Sequence, residues 1–213
     1  LPKLPPKFGT KIHEFDPTQL KSCYNLIISS VTPRPIALVS TRSKEGVCNV
    51  APYSYFGAMA HDPPTLAVGF CYKACQRKDS LQNVLDTKQC CINIISSWNL
   101  DAANHSCGNF ETSIDEFITS GMTAVSGTMV AAPRVAQAAV SYECVLEHVH
   151  PVKNTKGDVT AEVCIFQVVR IHVDDTVLQP GCDMDKPVVD TERLDPLGRL
   201  GGNTYATNGG QVD

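Results

Sequence analysis

The residues best suited to chemistry lie between positions 33 and 80. Ser40 and Thr41 place two hydroxyls at the end of the apolar run Ile36-Ala37-Leu38-Val39, and Arg42 follows them. A polar connection through Gly46 and Asn49 leads into Val50-Ala51-Pro52-Tyr53-Ser54-Tyr55-Phe56-Gly57-Ala58, where Ala51, Ser54, Gly57 and Ala58 carry little side chain. Small side chains let a planar ligand lie against the chain and bond its N–H and C=O groups. Pro52 lacks an N–H, so the strand ladder is interrupted there and backbone stays available. Arg77-Lys78-Asp79-Ser80 then opens a helix. A helix start has unpaired N–H donors and a partial positive charge, which with the Lys78 ammonium and Ser80 hydroxyl suits a phosphate. Each of these residues also has a plainer use: Asp79 as a helix cap beside solvated Arg77 and Lys78, Asn49 as a turn residue, Ser54 as a bonded strand hydroxyl.

Other chemistry finds less support. His61 and Asp62 are adjacent before Pro63-Pro64, and neighbours on an extended chain point to opposite sides, so they form no relay. There is no GxSxG, HExxH or CxxC motif. Cys71 and Cys75 lack a second ligand pair at zinc-finger spacing, and His148 and His150 share a strand face without a third ligand, so no metal is expected. The ten cysteines are irregularly spaced and mostly sit among apolar neighbours, which reads as reduced core thiols rather than a disulfide framework. The Gly198-to-Asn203 stretch fits neither a phosphate-binding Walker loop nor a dinucleotide fingerprint. A ligand bed with phosphate donors and no evident reactive side chain is the pattern of an enzyme whose cofactor performs the chemistry; catalytic residues are not assigned.

Several elements must position this bed. With 213 residues, 43% hydrophobic, the chain is long enough for one full core. The 18 basic and 22 acidic residues leave a net charge of −4, so no positive field exists for nucleic acid or anionic lipid. No apolar run reaches about 18 residues and the start lacks a secretory-signal layout, so a cytoplasmic protein is expected. Residues 1–20 read as a Pro- and Lys-rich arm lying across a partner subunit, residues 21–175 as the main domain, and residues 176–213 as an extension packing on that domain or on the partner. Residues 25–30 are a short apolar run held to an extended or turning path by the prolines at 33 and 35. Residues 36–41 and the segment from Val47 predict a hairpin around Gly46, and apolar runs at 65–70 and 90–95 predict further strands. Asp79 to Gln82 and Ser113 to Glu116 carry helix-start spacing, and residues 100–107 suit a third helix. Residues 140–148 alternate as a half-buried strand; Val159–Val173 returns beside it with Ala161, Val163, Ile165, Val169 and Ile171 on one face. Six or so strands with helices confined to one stretch predict a closed antiparallel barrel.

Pro33-Arg34-Pro35-Ile36-Ala37-Leu38-Val39-Ser40-Thr41, Gly46-x-x-Asn49-x-Ala51-Pro52-x-Ser54-x-Phe56, Asp62-Pro63-Pro64 and Lys78-Asp79-Ser80-x-x-Asn83 together resemble the flavin reductase-like family of FMN-binding split barrels, in particular its flavoredoxin-like branch. The resemblance continues through Ala132-Pro133-Arg134-Val135, Tyr142-Glu143-Cys144, Val169 to Val173, and Arg199-Leu200-Gly201-Gly202-Asn203-x-Tyr205. It implies a mainly β fold, a six-stranded antiparallel Greek-key split barrel with a few peripheral helices, and a homodimer with FMN near the subunit interface. By position it assigns Ser40, Thr41, Asn49, Val50, Ala51 and Ser54 to the isoalloxazine and ribityl chain, Lys78, Asp79 and Ser80 to the phosphate region, and Arg34 and Arg199 as further contacts. Ser80 stands where many relatives have Thr and keeps the hydroxyl. The implied activity is NAD(P)H-dependent flavin reduction on small-molecule substrates, with NADH or NADPH as a transient donor. The alternative is a non-catalytic FMN-binding or electron-transfer module reduced by a partner protein, because fold does not by itself fix function.

Overall fold

The computed structural model describes residues 11–108 and 110–207; the first ten residues of the expected N-terminal arm and the last six of the expected C-terminal extension lie outside the described residues. Seven strands form one antiparallel sheet: β1 (Ala37–Arg42), β2 (Cys48–Tyr53), β3 (Phe56–His61), β4 (Pro64–Cys71), β5 (Gln89–Ile94), β6 (Val140–Lys153) and β7 (Val159–Val173). Their spatial order is β2-β1-β5-β6-β7-β4-β3. Gly46, at φ +93, makes the predicted turn between β1 and β2, and β6 and β7 form the predicted long hairpin. The chain crosses from one side of the sheet to the other between β2 and β3 and returns between β4 and β5, and the second crossing carries α2 (Asp79–Thr87).

The expectation of six strands in a closed barrel is corrected. The two edge strands, β2 and β3, are consecutive in the chain and separated only by Ser54 and Tyr55. β2 pairs with β1, whereas β3 pairs with β4 at the opposite end of the sheet. One extended stretch therefore spans both edges, and the bend at Ser54-Tyr55 divides it into two strands. No ladder joins β2 to β4, but side chains close the gap: the rings of Tyr53 and Phe70 meet edge-on with centroids 4.6 Å apart.

The coiled sheet wraps one core, in which Val39, Val68, Phe70, Ile92, Cys144 and Phe166 are fully buried. Each large apolar side chain so placed contributes about 1.5–3 kcal/mol. On β7 the inward face is Cys164, Phe166 and Val168, and the apolar set Ala161 to Ile171 forms the outer, half-buried face. Alternation identified the two faces but could not rank them, because both carry β-branched residues. β6 is likewise not simply half-buried: Ser141 and Glu143 lie under the loop around residues 128–135 and are as buried as their inward neighbours.

Outside the barrel, α3 (Leu100–His105) and α4 (Glu116–Ser120) cover the outer face of β1 and β2, placing Ala103 and Phe117 against Leu38 and Val50. Residues 25–30, expected to be extended, belong instead to α1 (Tyr24–Ser30). The first proline lies far enough downstream to leave two helical turns intact. After β7, α5 (Thr191–Leu194) packs Leu194 with Val140 and Val177. Gly198–Arg199 then pairs with both Arg34–Pro35 and Tyr205–Ala206, bringing the C-terminal segment beside the entry to β1.

Candidate functional site

β2 is an edge strand, so its outward backbone groups have no strand partner. The Val50 N–H is taken by Glu116 Oε2 on α4 at 3.0 Å, and two residues on Pro52 has no N–H to satisfy. α2 docks on the inner end of the same hairpin. Ser80 and Asn83, one turn apart, donate to Asn49 Oδ1 at 2.5 Å and to Thr41 Oγ1 at 3.0 Å, and Thr41 and Asn49 are themselves directly opposed across β1 and β2. The Ser80-x-x-Asn83 spacing is thus a clamp that fixes the start of α2 against the hairpin. Asp79 is the first helical residue rather than a cap; Lys78 occupies the cap position in extended conformation and makes no side-chain cap.

Two cavities open on this hairpin. The first, of about 480 Å³, lies among Arg34, Ser54, Tyr55, Tyr72, Arg199 and Tyr205. The second, of about 530 Å³, is more polar and is bounded by Asn49, Ala51, Arg77, Asp79, Ser80 and Glu116. Pro52, Tyr53, Lys78 and Cys107 line both, so the cavities adjoin across Tyr53 with Lys78 Nζ 5.3 Å from its ring centroid. Both volumes fall in the usual range for small-molecule sites, roughly 300–1,000 Å³. Among the described residues Lys78 has no carboxylate within ion-pair distance. Arg77, in contrast, is bound to Glu162 through Nε at 2.9 Å and Nη2 at 3.0 Å. The Tyr53 hydroxyl is buried, and its one polar neighbour of note is Ser80, whose hydroxyl donates to Asn49 and keeps lone pairs that can accept from Tyr53 only in poor geometry. A buried hydroxyl so weakly partnered, between two cavities, can exchange that contact for a ligand acceptor or donor.

The residues expected from the sequence divide into two sets. Asn49, Ala51, Lys78, Asp79 and Ser80 line the second cavity, and Arg34, Ser54, Lys78 and Arg199 the first. Ser40, Thr41 and Val50 line neither and are fully buried. Ser40 donates to the Pro133 carbonyl at 2.5 Å and accepts from Asn93 at 3.0 Å, Thr41 is held by Asn83, and Val50 belongs to the core under α4. Arg34 is a tether, with Nη1 donating to the Ile28 and Val31 carbonyls at 2.6 Å each and Nη2 to the Leu200 carbonyl at 3.2 Å. Arg199 stacks on Tyr205 at 4.5 Å and bonds its hydroxyl, which in turn bonds Asn104.

Sequence reasoning missed Tyr53 and Glu116. Glu116 is only 6% exposed, and burial pushes its carboxyl up to about 7; nearby Asp79 and Asp115 push the same way, against the Val50 N–H and Lys78. Its place in the sequence signalled only a helix start. The donor set fits a phosphorylated planar ligand: a cation and a helix start on one side of Tyr53, and aromatic walls on the other.

The chain is similar to proteins of known sequence and of known structure. An uncharacterised protein of Aquifex aeolicus is 34% identical over 183 residues, 85% of this chain and 88% of that one. Nitrilotriacetate monooxygenase component B from Bacillus cereus superposes with a TM-score of 0.89 at 30% identity, covering 96% of this chain and 100% of that one. The 2-nitrobenzoate 2-nitroreductase of Pseudomonas fluorescens gives 0.81 at 28% identity, with 94% of each chain covered. Residues 29–193, which hold every strand of the sheet and both cavities' central wall, match the family model described as the flavin reductase like domain, and the chain belongs to that family.

Proposed function

We propose that this protein is an FMN-binding oxidoreductase, specifically an NAD(P)H-dependent flavin reductase. The observation that carries this reading is the pair of cavities meeting at Tyr53 and Lys78, one polar and built around the start of α2, the other walled by tyrosines. Lys78 and the first N–H groups of α2, that of Ser80 among them, would hold the phosphate. The Tyr53 hydroxyl and Asn49 would meet polar atoms along the ligand, and Pro52 would leave room for a ring against the backbone. FMN supplies the hydride-accepting chemistry, and the chain contributes alignment and exclusion of water. The tyrosine-walled cavity would admit a nicotinamide and then a small acceptor molecule. The similarity to a monooxygenase component and to a nitroreductase supports a redox role.

A homodimer and a cytoplasmic setting belong to the same proposal. α1 exposes Tyr24, Leu26 and Ile27, and β3 is an uncovered edge strand exposing Met59. Such a face is a liability in a monomer and a natural seam in a dimer. Tyr24 and Tyr55 line the first cavity, which places this face at its mouth. All ten cysteines are unpaired, as suits a reducing compartment. Among the described residues no helix is long and apolar enough to cross a membrane.

The test is anaerobic mixing of the FMN-loaded protein with NADH or NADPH. Bleaching of the flavin absorbance by either nucleotide is expected. A flavin that stays bound but is reduced by neither would sink the reductase reading and leave the protein-reduced electron-transfer module.

A further inference from the structure

The second cavity holds an arrangement that a phosphate site would not be expected to contain. Two carboxyls, Asp79 and Glu116, line the same cavity as Lys78 and Ser80. Glu116 is more than nine-tenths buried; Oε2 accepts the Val50 N–H at 3.0 Å, and no protein donor meets Oε1 among the described residues. An ionised carboxylate there would repel a phosphate dianion in a region that solvent screens poorly. A neutral carboxyl would do the opposite, donating a hydrogen bond from Oε1 while Oε2 stays on β2.

We propose that FMN uptake by this chain is coupled to protonation of Glu116: the phosphate is admitted with Glu116 neutral and donating to it, and the carboxylate form excludes it. The inference rests on the FMN reading above and extends it to control of that site by pH. The proton balance is simple. Where free Glu116 is ionised, one proton is taken from solvent for each FMN bound, and one is released when FMN leaves.

The surroundings agree from every side. Asp79 at the start of α2 and Asp115 at the cap of α4 oppose the charge of Glu116, which in turn pushes up the Tyr53 and Cys107 side chains; the Val50 N–H and Lys78 across the cavity pull the other way. Lys73 also lines the cavity and is engaged, and Arg77 is neutralised by Glu162. Burial already holds the free carboxyl at about 7, so an arriving phosphate raises it from a value close to neutrality. The phosphate's own second ionisation lies near 6, below the window in which Glu116 responds.

The experiment is titration of FMN fluorescence quenching from about pH 7 to about pH 8.5, with calorimetry in buffers of different ionisation enthalpy. Linkage predicts a dissociation constant rising by up to about tenfold per pH unit and uptake approaching one proton per FMN. Glu116→Gln keeps an acceptor for the Val50 N–H and an Oε1-side donor, so its affinity should be flat across the same range with no proton uptake. Tight FMN binding by the wild type with no pH slope and no proton uptake would overturn the coupling and leave the FMN site standing. A wild type that binds no FMN at any pH would overturn both. If the Gln variant fails to fold, the calorimetric proton count on the wild type decides alone.

Discussion

Lys78 and Tyr53 are the residues on which the site turns. Lys78 sits between two cavities with no carboxylate paired to it among the described residues, over a tyrosine whose buried hydroxyl is only weakly partnered. A charge-assisted contact to phosphate is worth roughly 1.5–3 kcal/mol. Lys78→Met should therefore weaken FMN binding by about ten- to a hundredfold and flatten its salt dependence, with unchanged thermal stability; titration at two ionic strengths checks both. Lys78, Asp79 and Ser80 were legible from a helix-start pattern, since local spacing marks such positions. Ser40 and Thr41 look alike in the sequence as paired hydroxyls. Strand alternation sends them to opposite sides of β1, Ser40 to Asn93 and Thr41 to Asn83, and both are spent on structure.

Elements are held to the sheet by buried polar groups rather than by apolar contact alone. The clearest is Glu143 on β6, fully buried beneath the loop around residues 128–130. It accepts the N–H groups of Thr128, Met129 and Val130 at 2.8, 2.6 and 2.9 Å, and His172 Nε2 lies 2.5 Å from Oε1. Burial alone would raise this carboxyl, but the three N–H bonds and His172 outweigh it and hold it at about 2, below its ordinary 4.5. The sign follows directly. A lowered native value stabilises the fold above pH 4.5, and that stabilisation is lost as pH falls from there toward 2. Glu143→Gln turns an amide N–H toward backbone donors and should cost about 2–4 kcal/mol at neutral pH. Denaturant melts at neutral and acidic pH should show the gap between the two proteins closing on the acid side. Alternation marked Glu143 as an outward polar residue; only the loop packed over β6 makes it interior.

At the scale of the molecule, the proposed dimer rests on the edge strand β3 and the exposed face of α1. Leu26 and Ile27 remain 45% and 46% exposed on a helix whose Ile28 is buried. Sedimentation should give a particle of twice the 23.0 kDa chain mass. Leu26→Asp combined with Ile27→Asp should shift it to monomer while preserving the β-rich circular dichroism, and a wild type that sediments as a monomer at micromolar concentration would refute the seam. The hairpins β1–β2 and β6–β7 were readable because turn glycine and alternation are local signals. The strand count was not, because Ser54 and Tyr55 bend a continuous β-prone stretch only once it has to reach from β1 to β4.

The sequence by itself determined the β1–β2 and β6–β7 hairpins, the neighbourhoods in which α2 and α4 begin, and the family, all properties of neighbouring residues and their spacing. Tertiary structure alone decided which hydroxyls face a cavity, that Tyr53 closes the sheet and stands between the two cavities, and that Glu116, 66 residues from Val50 in sequence, lines one of them with Lys78 and Ser80. Those facts depend on which edge is left unpaired and what packs over it, and burial, which encloses the Tyr53 hydroxyl and raises the Glu116 carboxyl, is a property of the assembled fold.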